Sequence, residues 1–413
     1  MDAKGMSRPR QAVILAGGRG TRLRPLTDTR PKPMIEFHGR PFLEHLIELL
    51  REQGFSRVLL LLGYLPQVVQ DYFGDGSRWG MNIEYAVSVV EDDTGHRLKL
   101  AAPRIDPLFL LMYCDNYWPM AFERMWQQYV SMGASAMVTV YRNDDRYSRD
   151  NVRINEQGYV VAYDKDRTLP DLQGVEIGFA MFRHEVFSLL PEENVSFERV
   201  VYPQLVAQRQ LAAFVTGHRY YSVSSHERLP LTERFLARRP AVILDRDGVL
   251  NKRPPRAQYV RSWDEWRWLP GAREALRLFT QAGYRVILVS NQAGIARGAM
   301  TEHDLAAIHE RMQTEVRDAG GEINAIYHCP HGWDSPCECR KPRPGLLYQA
   351  QRDFHLDLSR TCFVGDDERD GQAAEAAGCP WRLVSEERPL LEVARELVRS
   401  AHGHQRAKVE VLA

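Results

Sequence analysis

Cysteine is scarce in this 413-residue chain: there are six, of which three crowd into eleven positions and the rest are scattered. In a chain whose first residues, MDAKGMSRPR, hold no apolar segment of secretory type, this reads as metal binding plus free thiols and excludes a disulfide framework. An excess of either charge is also missing, since Lys+Arg and Asp+Glu each total 54. That excludes a nucleic-acid binder relying on bulk positive charge. Long hydrophobic runs are absent. A stretch such as Val58 to Leu62 is far too short to span a bilayer and fits a buried parallel strand. The expectation is a cytoplasmic protein with no membrane contact. No low-complexity linker or internal repeat is apparent.

What remains is ordinary for a globular enzyme, with 44% hydrophobic and 26% charged residues. The length exceeds one ordinary core and favours two domains. One event occurs twice. An apolar strand, Gln11 to Ala16, runs into Gly17-Gly18-Arg19-Gly20-Thr21-Arg22, and much later Ala241 to Leu244 runs into Asp245-Arg246-Asp247-Gly248. Between them, apolar runs (Val58 to Leu62, Leu108 to Met112, Ala136 to Tyr141) alternate with helical patterns (Phe42 to Glu52, Ala121 to Tyr129). After the second opening the alternation resumes with helices over Ala272 to Ala282 and Glu302 to Asp318 and strands over Arg285 to Ser290 and Thr361 to Val364. Alternating β and α elements predict two α/β, doubly wound domains with sites at the carboxyl ends of strands. The helix ending at Ala237 and the proline at 240 put the boundary there. Residues 8–238 form one domain, 239–400 the other, and 401–413 a polar tail.

In the C-terminal half, Asp245 and Asp247 stand two apart at a strand end, a costly arrangement unless a cation or substrate pairs them. Read alone, Asp-Gly could be the tip of an Asx turn. Three further groups accompany it: Ser290-Asn291 at a strand end, Lys341 after a cluster of cysteines, and Gly365-Asp366-Asp367-Glu368-Arg369-Asp370 at another strand end. This ordered set resembles the haloacid dehalogenase phosphatases over Ala241 to Ser400. The resemblance implies a parallel-sheet fold, Asp245 as nucleophile, Asp247 as general acid/base, Ser290 and Lys341 as phosphate ligands, and a Mg²⁺ site from Asp245, Asp247, Asp366 and Asp367.

Cys329, His331, Cys337 and Cys339 supply four soft or borderline ligands, a closed shell suited to a structural Zn²⁺. The metal would brace the loop that carries Arg340 and Lys341. Such a loop is similar to that of the D,D-heptose 1,7-bisphosphate phosphatases and, more distantly, of the histidinol-phosphate phosphatases. Asp245 to Asn251 and Asn291 to Gly298 favour the heptose group, whereas the short loop from His331 to Cys337 is of the histidinol type. Asn291, Arg297 and Arg340 are candidates for the sugar or its second phosphate; an ordinary solvated face is the alternative for the two arginines.

In the N-terminal half, three glycines after a strand let backbone N–H groups approach an anion, and Arg19, Arg22 and Arg24 can neutralise a triphosphate. With Pro31-Lys32-Pro33, the segment resembles the sugar-1-phosphate nucleotidyltransferases, a Rossmann-like mixed-sheet family, over Gln11 to Ala237. The resemblance implies nucleotide contacts from Ala16, Gly17, Gly18, Gly20, Thr21, Arg22 and Lys32, with Arg22 and Lys32 also catalytic. It further implies a Mg²⁺ ligand at Asp115 and sugar-phosphate contacts from Lys165 and Gly178. Two departures stand out. Ser222 occupies the place of the family's second metal aspartate, and Asp93-Thr94-Gly95-His96 replaces the family's Gly-Thr-Gly/Ala-Gly segment.

Together the two resemblances imply a bifunctional enzyme of nucleotide-activated heptose synthesis, destined for surface polysaccharide. One half would remove the 7-phosphate of a heptose 1,7-bisphosphate. The other would transfer a nucleotidyl group, with GMP favoured, from a nucleoside triphosphate to heptose 1-phosphate. Its partners are then small molecules, with no nucleic acid and no membrane, and a homo-oligomer is admitted. Two alternatives stay open: a histidinol-phosphate-like phosphatase fused to an unrelated transferase, and a phosphatase with a non-catalytic N-terminal domain that binds nucleotide or sugar phosphate.

Overall fold

The computed structural model describes residues 7–400, so the expected tail at 401–413 lies outside the described residues. The chain divides into two compact units that meet at Ala237 and Arg238.

The first unit is built on a seven-stranded mixed sheet. Its centre is Gln11–Ala16, buried along its whole length, with Arg57–Leu62 and Leu108–Tyr113 as parallel neighbours on either side. Asn82–Val87 continues one flank in parallel. On the other flank Val175–Arg183 runs antiparallel to both Leu108–Tyr113 and Ala136–Tyr141, which makes the sheet mixed. Helix Phe42–Glu52 packs on one face because Phe42, Leu43, Leu46, Ile47, Leu49 and Leu50 recur at helical spacing and are all buried. Helices Thr94–Ala101 and Phe197–Ala207 bring Leu98, Phe197, Val201 and Leu205 to the other face. The expected helix at Ala121 to Tyr129 lies at Phe122–Met132, and that at Glu227 to Ala237 at Leu229–Leu236.

The second unit is a five-stranded parallel sheet. Ala241–Leu244 is central, between Arg285–Asn291 and Cys362–Gly365, with Ala325–Cys329 and Trp381–Leu383 outside them. Continuous apolar strands such as Ala-Val-Ile-Leu are what a sheet covered on both faces requires. Two core clusters, one on each face, supply that cover. Because the three inner strands run in the same direction, their carboxyl ends deliver Asp245, Ser290 and Asp366 to one edge of the sheet. No helix among the described residues is long and apolar enough to cross a membrane.

Candidate active sites

In the second unit, a cleft of about 700 Å³ opens at the carboxyl edge of the parallel sheet. Asp245, Asp247, Ser290, Asn291, Arg340, Lys341, Asp366 and Asp367 all line it. The Asp245 backbone N–H donates to Val364 O at 2.9 Å, which fixes the first strand end against the third. Gly248 follows with φ +90°, and a Cβ there would lie 1.8 Å from Asp366 Oδ2. Only glycine lets the two acidic loops come this close.

Lys341 is almost fully buried, its side chain 2% exposed. Its Nζ donates to Asp245 Oδ1 at 2.9 Å, Asp370 Oδ1 at 2.7 Å and Val289 O at 3.0 Å. Burial opposes its charge, but the two carboxylates win and raise its pKa. Burial pushes the Asp245 carboxyl up to about 7 against the pull of Lys341. Asp247 is held differently. Arg246, Asn251 and Gln292 all donate to its carboxylate, and together they outweigh burial and lower its pKa. Gln292 also donates to Ser290 Oγ at 2.7 Å.

The acidic site differs from the expected one in its composition. Asp245, Asp366 and Asp370 form the carboxylate group whose oxygens lie within 4.8 Å of one another. The Asp247 carboxylate is turned to Arg246, and Asp367 is an N-cap whose side chain accepts from Arg369 N at the start of helix Glu368–Ala377. Asp370 closes the same acidic segment, in which the motif alone gives it no individual role. It is the third residue of that helix, and the reciprocal capping box turns it inward. Arg253, from a distant loop, donates to Asp366 Oδ2 at 3.1 Å and to Asp367 Oδ2 at 2.5 Å. No local pattern marks that pairing. Arg297 does not line the cleft: its guanidinium stacks 3.7 Å from the Trp333 ring centroid, and Trp333 is the residue at the rim.

The cysteine cluster assembles as its spacing suggested. Cys329 Sγ lies 3.5 Å from His331 Nδ1 and 3.7 Å from Cys337 Sγ, and His331 Nδ1 is 3.2 Å from Cys339 Sγ. A tetrahedron with arms of about 2.3 Å has edges of about 3.8 Å, so this donor set fits Zn²⁺. Lys341 has anchors of its own, because Asn291 Oδ1 accepts from Lys341 N and Asn291 Nδ2 donates to Lys341 O, both at 3.1 Å. Arg340 instead donates to His331 O at 3.3 Å, so the cluster bears on Arg340 more directly than on Lys341.

In the first unit a smaller cleft, about 250 Å³, lies over the glycine loop. Gly17, Gly18, Gly20, Lys32 and Asp115 line it together with Asp92, Asp93, Thr94, Arg97 and Tyr113. Lys32 Nζ donates to Asp115 Oδ2 at 2.7 Å. The pair offsets burial, raising the lysine's pKa and lowering the aspartate's. Ala16, Thr21 and Arg22 do not line this cleft, although Arg22 is near enough to act electrostatically on Lys32 and Asp115. Gly178, at φ +79°, packs against the Tyr113 ring. Lys165 also stands outside the lining, where its Nζ donates to Ser196 Oγ at 2.7 Å and Glu198 Oε2 at 3.2 Å. Thr94 Oγ1 donates to the same Glu198 oxygen at 3.0 Å and so links that pair to the cleft wall. Ser222 sits in register with Asn116, and Val223 N donates to Asp115 O at 2.9 Å. The serine thus stands beside Asp115. Sequence reasoning missed Arg97, Asp92 and Glu176. Burial pushes the Glu176 carboxyl up to about 8.

Comparison with known proteins divides along the same lines. A nucleotidyl transferase model matches residues 11–188, and a haloacid dehalogenase-like hydrolase model matches 160–378. The start of the second match overlaps strands of the mixed sheet, and the fold assigns that part to the first unit. The chain is 46% identical over 141 residues to the D-glycero-beta-D-manno-heptose-1,7-bisphosphate 7-phosphatase of Bordetella bronchiseptica, covering 34% of this chain and 78% of that protein. It is 44% identical over 146 residues to the protein of the same name from Pseudomonas aeruginosa, covering 35% and 81%. The solved structure of HddC from Yersinia pseudotuberculosis is 22% identical, covers 55% of this chain and 99% of that chain, and has a TM-score of 0.48.

Proposed function

The chain belongs to the haloacid dehalogenase-like hydrolases, and from that premise we propose that it is a bifunctional enzyme of activated-heptose synthesis. The C-terminal unit hydrolyses the 7-phosphate of D-glycero-D-manno-heptose 1,7-bisphosphate. The N-terminal unit transfers a nucleotidyl group from a nucleoside triphosphate to the remaining 1-phosphate and releases pyrophosphate. The observation that carries this reading is the convergence of Asp245, Ser290, Lys341 and Asp366 in one cleft. The 46% identity to a heptose bisphosphate 7-phosphatase favours this sugar over histidinol phosphate.

In the phosphatase unit, an Asp245 oxygen attacks phosphorus and the bond from phosphorus to the sugar oxygen breaks. Asp247 protonates the leaving oxygen, then takes a proton from the water that cleaves the aspartyl phosphate. A dianionic phosphate arriving beside Asp247 opposes Arg246 and raises its affinity for the proton it must give. Lys341 and Ser290 hold the phosphoryl oxygens, and Lys341 favours the ionised, attacking form of Asp245 against the effect of its burial. The carboxylates of Asp245 and Asp366, with Asp370 beside them, suit a hard cation, and Mg²⁺ held there would neutralise phosphoryl charge. Cys329, His331, Cys337 and Cys339 would hold Zn²⁺ as a structural ion. Asn291, Arg340 and the Arg297–Trp333 stack bear on the sugar or its distal phosphate.

In the transferase unit, the sugar-phosphate oxygen attacks the α-phosphorus and pyrophosphate departs. Gly17, Gly18 and Gly20 present backbone N–H groups, Arg22 and Lys32 carry positive charge to the leaving group, and Lys165 holds the sugar phosphate. Asp115 would hold Mg²⁺ here. One substitution separates the two halves. Asp245→Asn should abolish phosphate release from the bisphosphate while leaving pyrophosphate release from separately supplied heptose 1-phosphate unchanged. Loss of both activities, or of neither, would count against two independent sites.

A further inference from the structure

Arg253 belongs to none of the motifs of the phosphatase unit, yet it is a cation of the acidic loop. Its guanidinium donates to Asp366 Oδ2 at 3.1 Å and to Asp367 Oδ2 at 2.5 Å. The two carboxylates differ in what else they hold. Asp367 also accepts from Arg369, at 2.8 Å on Oδ1 and 3.0 Å on Oδ2. The Asp366 carboxylate accepts from Arg253 alone among the described residues. Asp366 is grouped with Asp245 and Asp370 at the position suited to a hard cation. Lys341 serves those two, so the third depends on Arg253.

Counted as ionised, Asp245, Asp366, Asp367 and Asp370 set four negative charges against the three positive charges of Lys341, Arg253 and Arg369. A divalent cation turns that deficit of one into an excess of one, and the departure of Arg253 brings it to zero. Lys341 is not the cation to leave, because it is buried and holds two carboxylates and a carbonyl. Arg369 bonds to Asp367 and not to Asp366. The Arg253 side chain is 45% exposed, and an ion pair so open to water is weak. Like charges beside one shared carboxylate repel, so a metal on Asp366 works against the guanidinium already there.

The chain around Arg253 is free to move with it. Lys252 N donates to Arg267 O at 2.8 Å, and Arg261 N to Glu265 Oε2 at 2.8 Å. Between these anchors the backbone makes one hydrogen bond among the described residues, Gln258 N to Pro255 O at 2.9 Å, and it is internal to the segment. Ala257 holds φ +65°, a left-handed conformation that a Cβ disfavours. Residues 253–255 and 257–260 line both the active-site cleft and a second cavity of about 450 Å³, so the segment is the wall between them. We propose that Arg253 is a resident counter-ion of the metal site, that a divalent cation taking Asp366 displaces it, and that its release lets the 253–260 wall yield toward the second cavity. The inference rests on the phosphatase reading above. The metal then loads before the phosphate ester, into a cleft that widens as the ion binds.

The test is calorimetric titration of Mg²⁺ into the zinc-loaded full chain in an Asp115→Asn background, which removes the first unit's own metal carboxylate. An ion pair of this exposure predicts that Arg253→Gln binds Mg²⁺ on the order of fivefold tighter, while Arg253→Lys, which keeps the charge, stays near the natural affinity. Trypsin cleavage after Arg256, identified by mass, reads the wall itself. In the natural chain Mg²⁺ should speed that cleavage, and in Arg253→Gln it should be fast with or without Mg²⁺. Mg²⁺ affinity that Arg253→Gln leaves unchanged or weakens overturns the proposal, as does cleavage that Mg²⁺ leaves unchanged in the natural chain, or the binding of no Mg²⁺. Phosphate release from heptose 1,7-bisphosphate alongside any of these results would remove the exchange and leave the phosphatase reading standing. Tighter Mg²⁺ binding and Mg²⁺-dependent cleavage without phosphate release would uphold the exchange and refute that reading instead.

Discussion

Replacing Lys341 with methionine keeps an unbranched side chain, one atom shorter, and deletes the ammonium group with its three hydrogen bonds. In the natural chain Nζ bridges Asp245 at 2.9 Å and Asp370 at 2.7 Å inside a nearly dry site. Without it two carboxylates face each other with no cation between them, and removing one partner of a buried ionic cluster costs about 3–5 kcal/mol. The cost should depend on pH, in a direction that follows from Asp245. Burial already raises that carboxyl to about 7 in the presence of Lys341, and losing the lysine moves it higher. An acid that binds its proton more tightly folded than unfolded destabilises the fold as pH rises from its unfolded value, about 3.9, through its folded value. The variant's deficit should therefore be smaller near about pH 5.5 than near about pH 8. Denaturant unfolding of the Mg²⁺-free full chain, following the C-terminal unit, measures both deficits, and phosphate release should fall by about 10²–10³-fold. A deficit below about 1 kcal/mol, or one equal at the two pH values, would refute the claim that Lys341 is the counter-ion of this carboxylate pair.

Stripping the cysteine cluster with a chelator, or Cys339→Ser, should raise KM for the bisphosphate roughly tenfold or more through Arg340, while the reciprocal Asn291 bonds keep kcat closer to its starting value; an equal fall in kcat would show that Lys341 depends on the cluster after all. His309 accepts from Arg246 at 3.3 Å, and burial pushes its pKa down to about 3. Its stabilising effect is complete above the unfolded value near about 6.5 and is lost as pH falls from there toward about 3, by up to about 1.4 kcal/mol per unit. His309→Gln should flatten this acid limb in thermal melts, and an unchanged limb would contradict the assignment. Ser222→Asp, buried beside Asp115, should lower the melting temperature without Mg²⁺ and lower the Mg²⁺ concentration needed for pyrophosphate release; no change in either would show that the position does not bear on the metal.

The sequence made strand ends legible because continuous apolar runs terminate where chemistry begins. Helices Phe42–Glu52 and Glu302–Asp318 have the expected bounds, since their apolar periodicity is strong and their ends are well marked. The cysteine cluster was equally readable, because its four ligands are local in the chain. What was not readable depends on rotation and on distance. Asp366, Asp367 and Asp370 look interchangeable as letters; the capping box decides that Asp367 caps the helix while Asp370 turns inward to Lys341. Arg253 meets Asp366 across more than a hundred residues, and Arg97 reaches Gly17 only because the 88–92 segment folds back over the sheet. Long-range pairings of this kind leave no periodic trace.

The most direct test of two activities in one chain uses phosphorus NMR on heptose 1,7-bisphosphate with Mg²⁺ and the zinc-replete enzyme, followed by addition of GTP. The account predicts loss of the 7-phosphate signal alone, a persistent 1-phosphate, and then pyrophosphate together with a sugar diphosphonucleoside once GTP is present. Release of the 1-phosphate, or a 1-phosphate that persists indefinitely with GTP, ATP, CTP and UTP alike, would contradict it.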